Sequence, residues 1–241
     1  MNIIELEKKL GTIEGWLSPA EIQLLYKTAH GVKKNKGVIL EIGSWQGKST
    51  VCLATVVLDA KNDVLVYAVD PHEGSIEHQA SSINHSLLKF KQNITRFGFD
   101  EKVHPIVKRS KDASQAWDKP IAFLWIDGDH SYEGVKTDFD SWFRFVAEGG
   151  IIAFHDCNSE EVGNFVTREV LSRKDVKGAW LADSIVAVVK SDHHKVQDTL
   201  RNQYIISVLK AQDVARKLPV SGSLRRGLKK ISKGISNLIT K

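Results

Sequence analysis

The segment Glu41-Ile42-Gly43-Ser44-Trp45-Gln46-Gly47-Lys48-Ser49-Thr50 decides the architecture. It closes the apolar run Val38–Ile42 and opens the helix-like stretch Ser49–Ala60, so it reads as strand, glycine turn, helix. A glycine turn at that place lets a ligand approach the backbone, with helix N–H groups aimed at it. Outward from this unit the alternation repeats. Further strand candidates are Val64–Val69, Val103–Val107, Ile121–Ile126, Ile151–Phe154 and Ser184–Val189, and the helical stretches Ser82–Phe97, Tyr132–Val146 and Glu160–Arg173 separate most of them. Short, continuously apolar strands between helices predict an α/β fold: a mostly parallel sheet with helices on both faces. Trp180–Leu181 and Ile185–Val189 lie too close for a helical crossover and predict a terminal antiparallel hairpin.

The 241 residues divide into an N-terminal helical appendage (1–36), the alternating domain (37–190), a C-terminal helix (191–220) and a basic amphipathic tail (221–241). Ser18-Pro19-Ala20-Glu21 is a capping box with proline at the first helical position, opening a helix toward Lys34. Hydrophobic residues at 42% beside 26% charged exclude global disorder. No apolar run reaches the ~20 residues of a membrane span. The opening residues lack a basic region followed by an apolar stretch, and Cys52 and Cys157 sit in apolar segments, so a reducing, cytoplasmic setting is expected. Of the net charge of +5, the tail supplies Arg225, Arg226, Lys229, Lys230, Lys233 and Lys241 without an acid. Removing those six leaves 28 basic against 29 acidic residues, so the body carries no signature of nucleic-acid binding.

Two ligand classes compete for the glycine turn. Gly47-Lys48-Ser49 matches the end of a phosphate-binding loop, but only three residues separate Gly43 from Gly47 where four are required, and Glu41 would repel polyphosphate. The dinucleotide fingerprint fails because Gly43-Ser44-Trp45 lacks its second glycine. Asp70, ending the second strand, suits the two hydroxyls of a ribose. Glu41, the turn and Asp70 together suit a cationic nucleoside without phosphates, a description S-adenosylmethionine fits. On these residues the sequence resembles the class I S-adenosylmethionine-dependent methyltransferases, Rossmann-like proteins, over about residues 37–190.

Later motifs sharpen the resemblance. Trp125-Ile126-Asp127-Gly128-Asp129-His130-Ser131-Tyr132-Glu133-Gly134-Val135 and Gly149-Gly150-Ile151-Ile152-Ala153-Phe154-His155-Asp156 are similar to the small metal-dependent O-methyltransferases, including the branch that methylates macrolide sugars. The resemblance implies a small-molecule or carbohydrate acceptor, S-adenosylmethionine bound around Glu41, Gly43, Trp45, Gly47, Ser49, Asp70 and Ser110, a divalent metal (Mg or Mn) on Asp127, His155 and Asp156, and His130 as base, with Asp127 also catalytic. His155 stands where an acid or amide is usual, a donor better matched to Mn, Fe or Zn than to Mg. It is also suited to orienting the other ligands. The chemistry needs such a set: methyl transfer from a sulfonium is an in-line displacement, and an aliphatic hydroxyl needs a base or a metal to become nucleophilic at neutral pH.

Plainer readings stand beside these. Asp127 and Asp129 suit turn and cap positions, and Ser49 and Thr50 suit a helix cap. His72, His78, His85 and His104 read as solvated loop or helix-end residues, and the polar Pro71–His85 segment is placed to cover an acceptor. Phe139, Trp142, Phe143 and Val146 recur at helical spacing as a core face, and Cys157 reads as core. A phosphotransferase of the phosphate-loop class and a membrane-recruited binding module without turnover remain as alternatives. In the tail, Leu224, Leu228, Ile231, Ile235 and Leu238 form one apolar stripe flanked by the basic residues. That stripe suits docking on the body, a seam with a second copy in a homo-oligomer, or an anionic membrane surface at the inner face. If it binds membrane, deleting 221–241 removes sedimentation with anionic vesicles and spares cofactor binding; equal sedimentation of both forms refutes it.

Overall fold

The computed structural model describes residues 3–33, 36–60, 63–73 and 84–217. Readings that fall on the tail, on His78 and on most of the polar segment after Pro71 lie outside these residues. Seven strands form one sheet: β1 (Val38–Ile42), β2 (Val66–Val69), β3 (Val103–Ile106), β4 (Ile121–Ile126), β5 (Val146–Phe154), β6 (Val176–Ala182) and β7 (Ile185–Lys190). Their order is β3-β2-β1-β4-β5-β7-β6. The first five are parallel; β7 is antiparallel to both β5 and β6. The expected α/β class and terminal hairpin are both present.

Alternation along the strands makes the sheet two-sided. In β4, Phe123 and Trp125 join the core with α1 (Ile3–Leu10), α2 (Pro19–Gly31), α3 (Lys48–Asp59) and α4 (Asn84–Arg96). Leu124 and Ile126 face the other core with α6 (Tyr132–Trp142), α7 (Glu160–Phe165) and α8 (Val196–Lys217). A short helix, α5 (Ser110–Gln115), follows β3; no apolar periodicity in Ser-Lys-Asp-Ala-Ser-Gln announces it. The helical capping box is as expected: Ser18 and Glu21 each cap the other's backbone N–H.

One boundary differs. The apolar spacing carried the sixth helix to Val146, but α6 ends at Trp142, a tight turn covers Phe143–Phe145, and β5 begins at Val146. Val146 is buried in the sheet opposite Ile121, so strand pairing overrides the helical period. Trp142 and Phe139 remain core residues.

Register positions the site. Ile42 lies between Val69 and Ile126, and Ile126 opposite Phe154. The residues after these ends, Asp70, Gly43, Asp127 and His155, therefore form a row along the carboxyl edge. Backbone bonds continue the ladder into that row: Gly43 N–H to Val69 O (2.9 Å), Asp127 N–H to Ile42 O (2.9 Å) and His155 N–H to Ile126 O (3.0 Å). The chain reverses direction across the sheet between β1 and β4, the crevice where open α/β sheets bind ligands.

Candidate active site

The turn after β1 is tight. Gly43 has φ +83° and Gly47 φ +86°, and a Cβ on Gly43 would fall 2.0 Å from the carbonyl oxygen of Asp127. Gly47 N–H donates to Ser44 O (2.7 Å), and Trp45 N–H donates to Asp70 Oδ2 (2.7 Å). Those two donors, which a phosphate-cradling loop would aim at its ligand, are thus engaged within the protein. Ser44 Oγ is buried and without a hydrogen-bond partner.

Asp70 ties the turn to its neighbour: its Oδ1 accepts from His72 N–H (2.6 Å). With one N–H on each oxygen, the carboxylate keeps acceptor capacity for the hydroxyls of a ribose. His72, whose loop position suggests solvation, is buried instead, with Nδ1 3.2 Å from Ser86 Oγ and its ring against Phe90. A histidine two residues after a strand-end acid has no sequence mark that separates it from loop histidines. Trp45, His72 and Asp156, three of the four non-glycine residues with positive φ among those described, sit in the loops of this edge. Such conformations cost about 1–3 kcal/mol each and persist where the surroundings impose them.

Glu41 lies beneath the turn. It is fully buried and accepts hydrogen bonds from both Ser49 Oγ and Thr50 Oγ1, so all three side chains pin α3 to β1. Burial pushes its carboxyl up to about 8, against the two hydroxyl bonds that favour ionisation, with Asp127 and Asp70 adding to the rise. The group is largely neutral at pH 7, so it supplies no charge against polyphosphate. A folded value above the unfolded one of about 4.5 means the folded chain retains a proton that the unfolded chain releases. That contribution to stability is complete below the unfolded value and declines as pH rises toward about 8. Glu41→Gln keeps the neutral shape, so its stability in urea should fall less than wild type's over this interval. Parallel pH profiles would rule this out.

Ser110 opens α5, where its Oγ accepts from Trp142 Nε1 (2.8 Å) and bonds Asp138. Asp129 accepts from Ser131 N–H (2.8 Å), and the N-cap of α6 is Ser131 rather than Asp129, which holds the turn before it. Cys157 is buried and its thiol pushed up to about 12, mainly by desolvation, as a core cysteine should be.

Asp127, His130 and Asp156 converge: one ligand atom from each lies within 4.8 Å of the others. His130 Nε2 is 3.4 Å from Asp156 Oδ2 and 3.8 Å from Asp127 Oδ1, with its side chain 53% exposed. Its pKa is raised by the hydrogen bond to Asp127, with burial opposing and the charges of Asp156 and Asp127 assisting. Behind them lies His155, buried, with Nδ1 2.9 Å from Asp127 Oδ1 and 3.2 Å from Asp156 Oδ2. Its Nε2 faces Glu21 Oε1 at 3.6 Å. Burial alone would lower its pKa; Asp127, Asp156 and Glu21 outweigh burial and raise it. Both nitrogens of His155 thus face carboxylates, while the convergent third donor is His130. Glu21 appeared in the sequence only as a helix cap; nothing local to α2 marks its reach to β5.

The N-terminal segment also closes over the turn. Lys48 Nζ donates to Gly15 O (2.7 Å), Gln46 Nε2 to Glu14 Oε2 (3.0 Å), and the Trp16 ring stacks on Trp45 at 5.1 Å.

A parallel sheet with a glycine turn at its switch point, an acid ending β2 and an antiparallel end hairpin defines a class I methyltransferase fold. Residues 40–157, just under half of the chain, match the family described as "Methyltransferase domain". Two relatives are each 28% identical: an uncharacterized protein of Acanthamoeba polyphaga mimivirus, over 55% of this chain and 57% of its own length, and one of Sinorhizobium fredii, over 52% and 14%. The matches thus span little more than half of one relative and a small part of the other. Among solved structures, the O-methyltransferase NovP superposes with a TM-score of 0.60 at 15% identity, covering 72% of this chain and 81% of NovP. TomG from Streptomyces achromogenes, an O-methyltransferase of tomaymycin synthesis in complex with S-adenosylmethionine, gives 0.54 at 13% over 78% and 87%. CalS11, a TDP-rhamnose 3'-O-methyltransferase of calicheamicin biosynthesis, gives 0.54 at 14% over 78% and 92%. These three likenesses establish the fold.

Proposed function

We propose that this chain transfers the methyl group of S-adenosylmethionine to a hydroxyl oxygen of a small-molecule or carbohydrate acceptor, at a centre built from Asp127, His130 and Asp156. The observation that carries the reading is the convergence of these three side chains on the edge that also holds the Gly43 turn and Asp70. The O-methyltransferase titles of NovP, TomG and CalS11 agree with an oxygen acceptor.

The cofactor fits the first half of the row. The left-handed glycines allow close approach, the unpartnered Ser44 hydroxyl offers a hydrogen bond, and Asp70 has acceptor capacity toward ribose. A divalent ion fits the second half, where the carboxylates of Asp127 and Asp156 converge as oxygen donors. Asp127 and Asp156 would hold it, with His155 bonded behind both. When bound, such an ion lowers the pKa of a coordinated hydroxyl. His130, half exposed beside both acids, accepts the hydroxyl proton, and the two ends of the row align donor and acceptor for in-line displacement.

Calorimetry tests the cofactor half. Adenosylhomocysteine should bind at micromolar concentration or tighter and ATP should not. Asp70→Ala should weaken adenosylhomocysteine binding by about 1–3 kcal/mol through lost charged hydrogen bonds. ATP binding without adenosylhomocysteine binding would return the chain to the phosphotransferase alternative.

A further inference from the structure

We propose that Glu21 is a positioning residue of the catalytic centre: from helix α2 it holds His155, and through His155 it fixes the separation of Asp127 and Asp156. The inference rests on the reading of those two aspartates as the centre. Its basis is geometric. The Glu21 carboxylate is buried and held from three sides. Its Oε2 accepts from Ser18 N–H (2.7 Å), while its Oε1 accepts from Ser184 Oγ (2.5 Å) and Ser184 N–H (3.1 Å).

A carboxylate so fixed has no rotational freedom, and the same Oε1 faces His155 Nε2 at 3.6 Å. The opposite ring nitrogen meets Asp127 Oδ1 and Asp156 Oδ2 together, at 2.9 and 3.2 Å. The imidazole therefore acts as a rigid spacer with Glu21 behind it and both aspartates in front. Capping alone does not account for this placement. The capping contact uses Oε2, whereas Oε1 serves β7's approach turn and the ring. Hydrogen-bonded groups behind metal-ligating or catalytic side chains fix ring orientation, and their loss typically weakens metal binding about 10–100-fold.

The test compares Glu21→Gln with Ser18→Ala in the full chain. Ser18→Ala weakens the same helix cap without touching the contact between carboxylate and imidazole. The primary readout is the ¹⁵N spectrum of the histidine rings without metal or acceptor, with His155 assigned from the signals lost in His155→Gln. Glu21→Gln should displace the His155 ring resonances and Ser18→Ala should leave them in place. Adenosylhomocysteine affinity should stay within about twofold in both variants, because the cofactor row is untouched. Mn²⁺ titration by calorimetry should show binding weakened about 10-fold or more in Glu21→Gln only. Unmoved ring resonances in Glu21→Gln, or equal displacement in Ser18→Ala, would overturn the proposal. If Glu21→Gln does not fold, Glu21→Asp, which keeps the charge and shortens the reach, carries the same comparison. Should wild type bind no Mn²⁺, the divalent-ion reading fails, and the ring spectra still decide the role of Glu21.

Discussion

Replacing His130 with alanine is expected to cut methyl transfer by about 10²–10⁴-fold while leaving adenosylhomocysteine affinity nearly intact. The imidazole stands beside Asp127 and Asp156 and is half exposed, open to an acceptor and separate from the cofactor row. As the proposed base it must be neutral to accept a proton. Its pKa lies above the ordinary histidine value of 6.5, raised first by its bond to Asp127. The rate should therefore climb with pH across a midpoint above that value. Neutralising the two carboxylates with a bound cation removes the cause of the rise, so the climb should move to lower pH in Mn²⁺-saturated enzyme. Rates measured against pH with and without Mn²⁺ check both points. Turnover by His130→Ala within a few-fold of wild type would remove His130 from the role of base.

Gly43→Ala is expected to abolish measurable cofactor binding and to destabilise the fold by at least about 2 kcal/mol. Two costs add at this position. The backbone has φ +83°, where an L side chain is strained, and the new Cβ would lie 2.0 Å from Asp127 O and 2.7 Å from Gly128 Cα. Neither contact is a flexible side-chain end that could swing away; both are the backbone that carries Asp127. Relief would separate β1 from β4 at the point where Asp127 N–H bonds Ile42 O, disturbing the cofactor turn and the acidic centre together. Thermal unfolding and adenosylhomocysteine calorimetry measure the two effects. Gly98→Ala is the control, since Gly98 also has positive φ but open space around it. Equal behaviour of the two variants would show that φ alone, and not the contact between strands, sets the cost.

The sheet was legible because its information is local. Ile121–Ile126 is a continuous apolar run and Val38–Ile42 an apolar run broken only by Glu41, and each matches its strand residue for residue. Gly43 and Asp70 were legible for a related reason: a glycine or an acid placed just after such a run inherits its position from the strand. What sequence pattern could not carry were choices made between distant segments. Val146 continues a helical period with Phe139, Trp142 and Phe143, yet its partner Ile121 draws it into β5. His72 looks like any loop histidine until Phe90 and Ser86 close around it. Glu41 looks like a charge against polyphosphate in the sequence, but its complete burial raises its pKa in spite of the hydroxyl bonds from Ser49 and Thr50. The row Asp127, His155 and Asp156 was found by resemblance, but which atoms converge depended on Glu21 and His130, whose side-chain directions no spacing encodes.

The bond between Glu21 and Ser184 joins residues 163 positions apart. Contacts of such separation carry a high loop-closure entropy and form late unless intervening structure shortens the path. During synthesis the first two helices leave the ribosome well before the end hairpin exists, so the aspartates can sit on a formed sheet before anything clasps His155 from behind. A nascent or C-terminally shortened chain that stops ahead of Ser184 would present the cofactor turn without a finished centre. Completion of the proposed centre is thereby tied to arrival of nearly the whole domain.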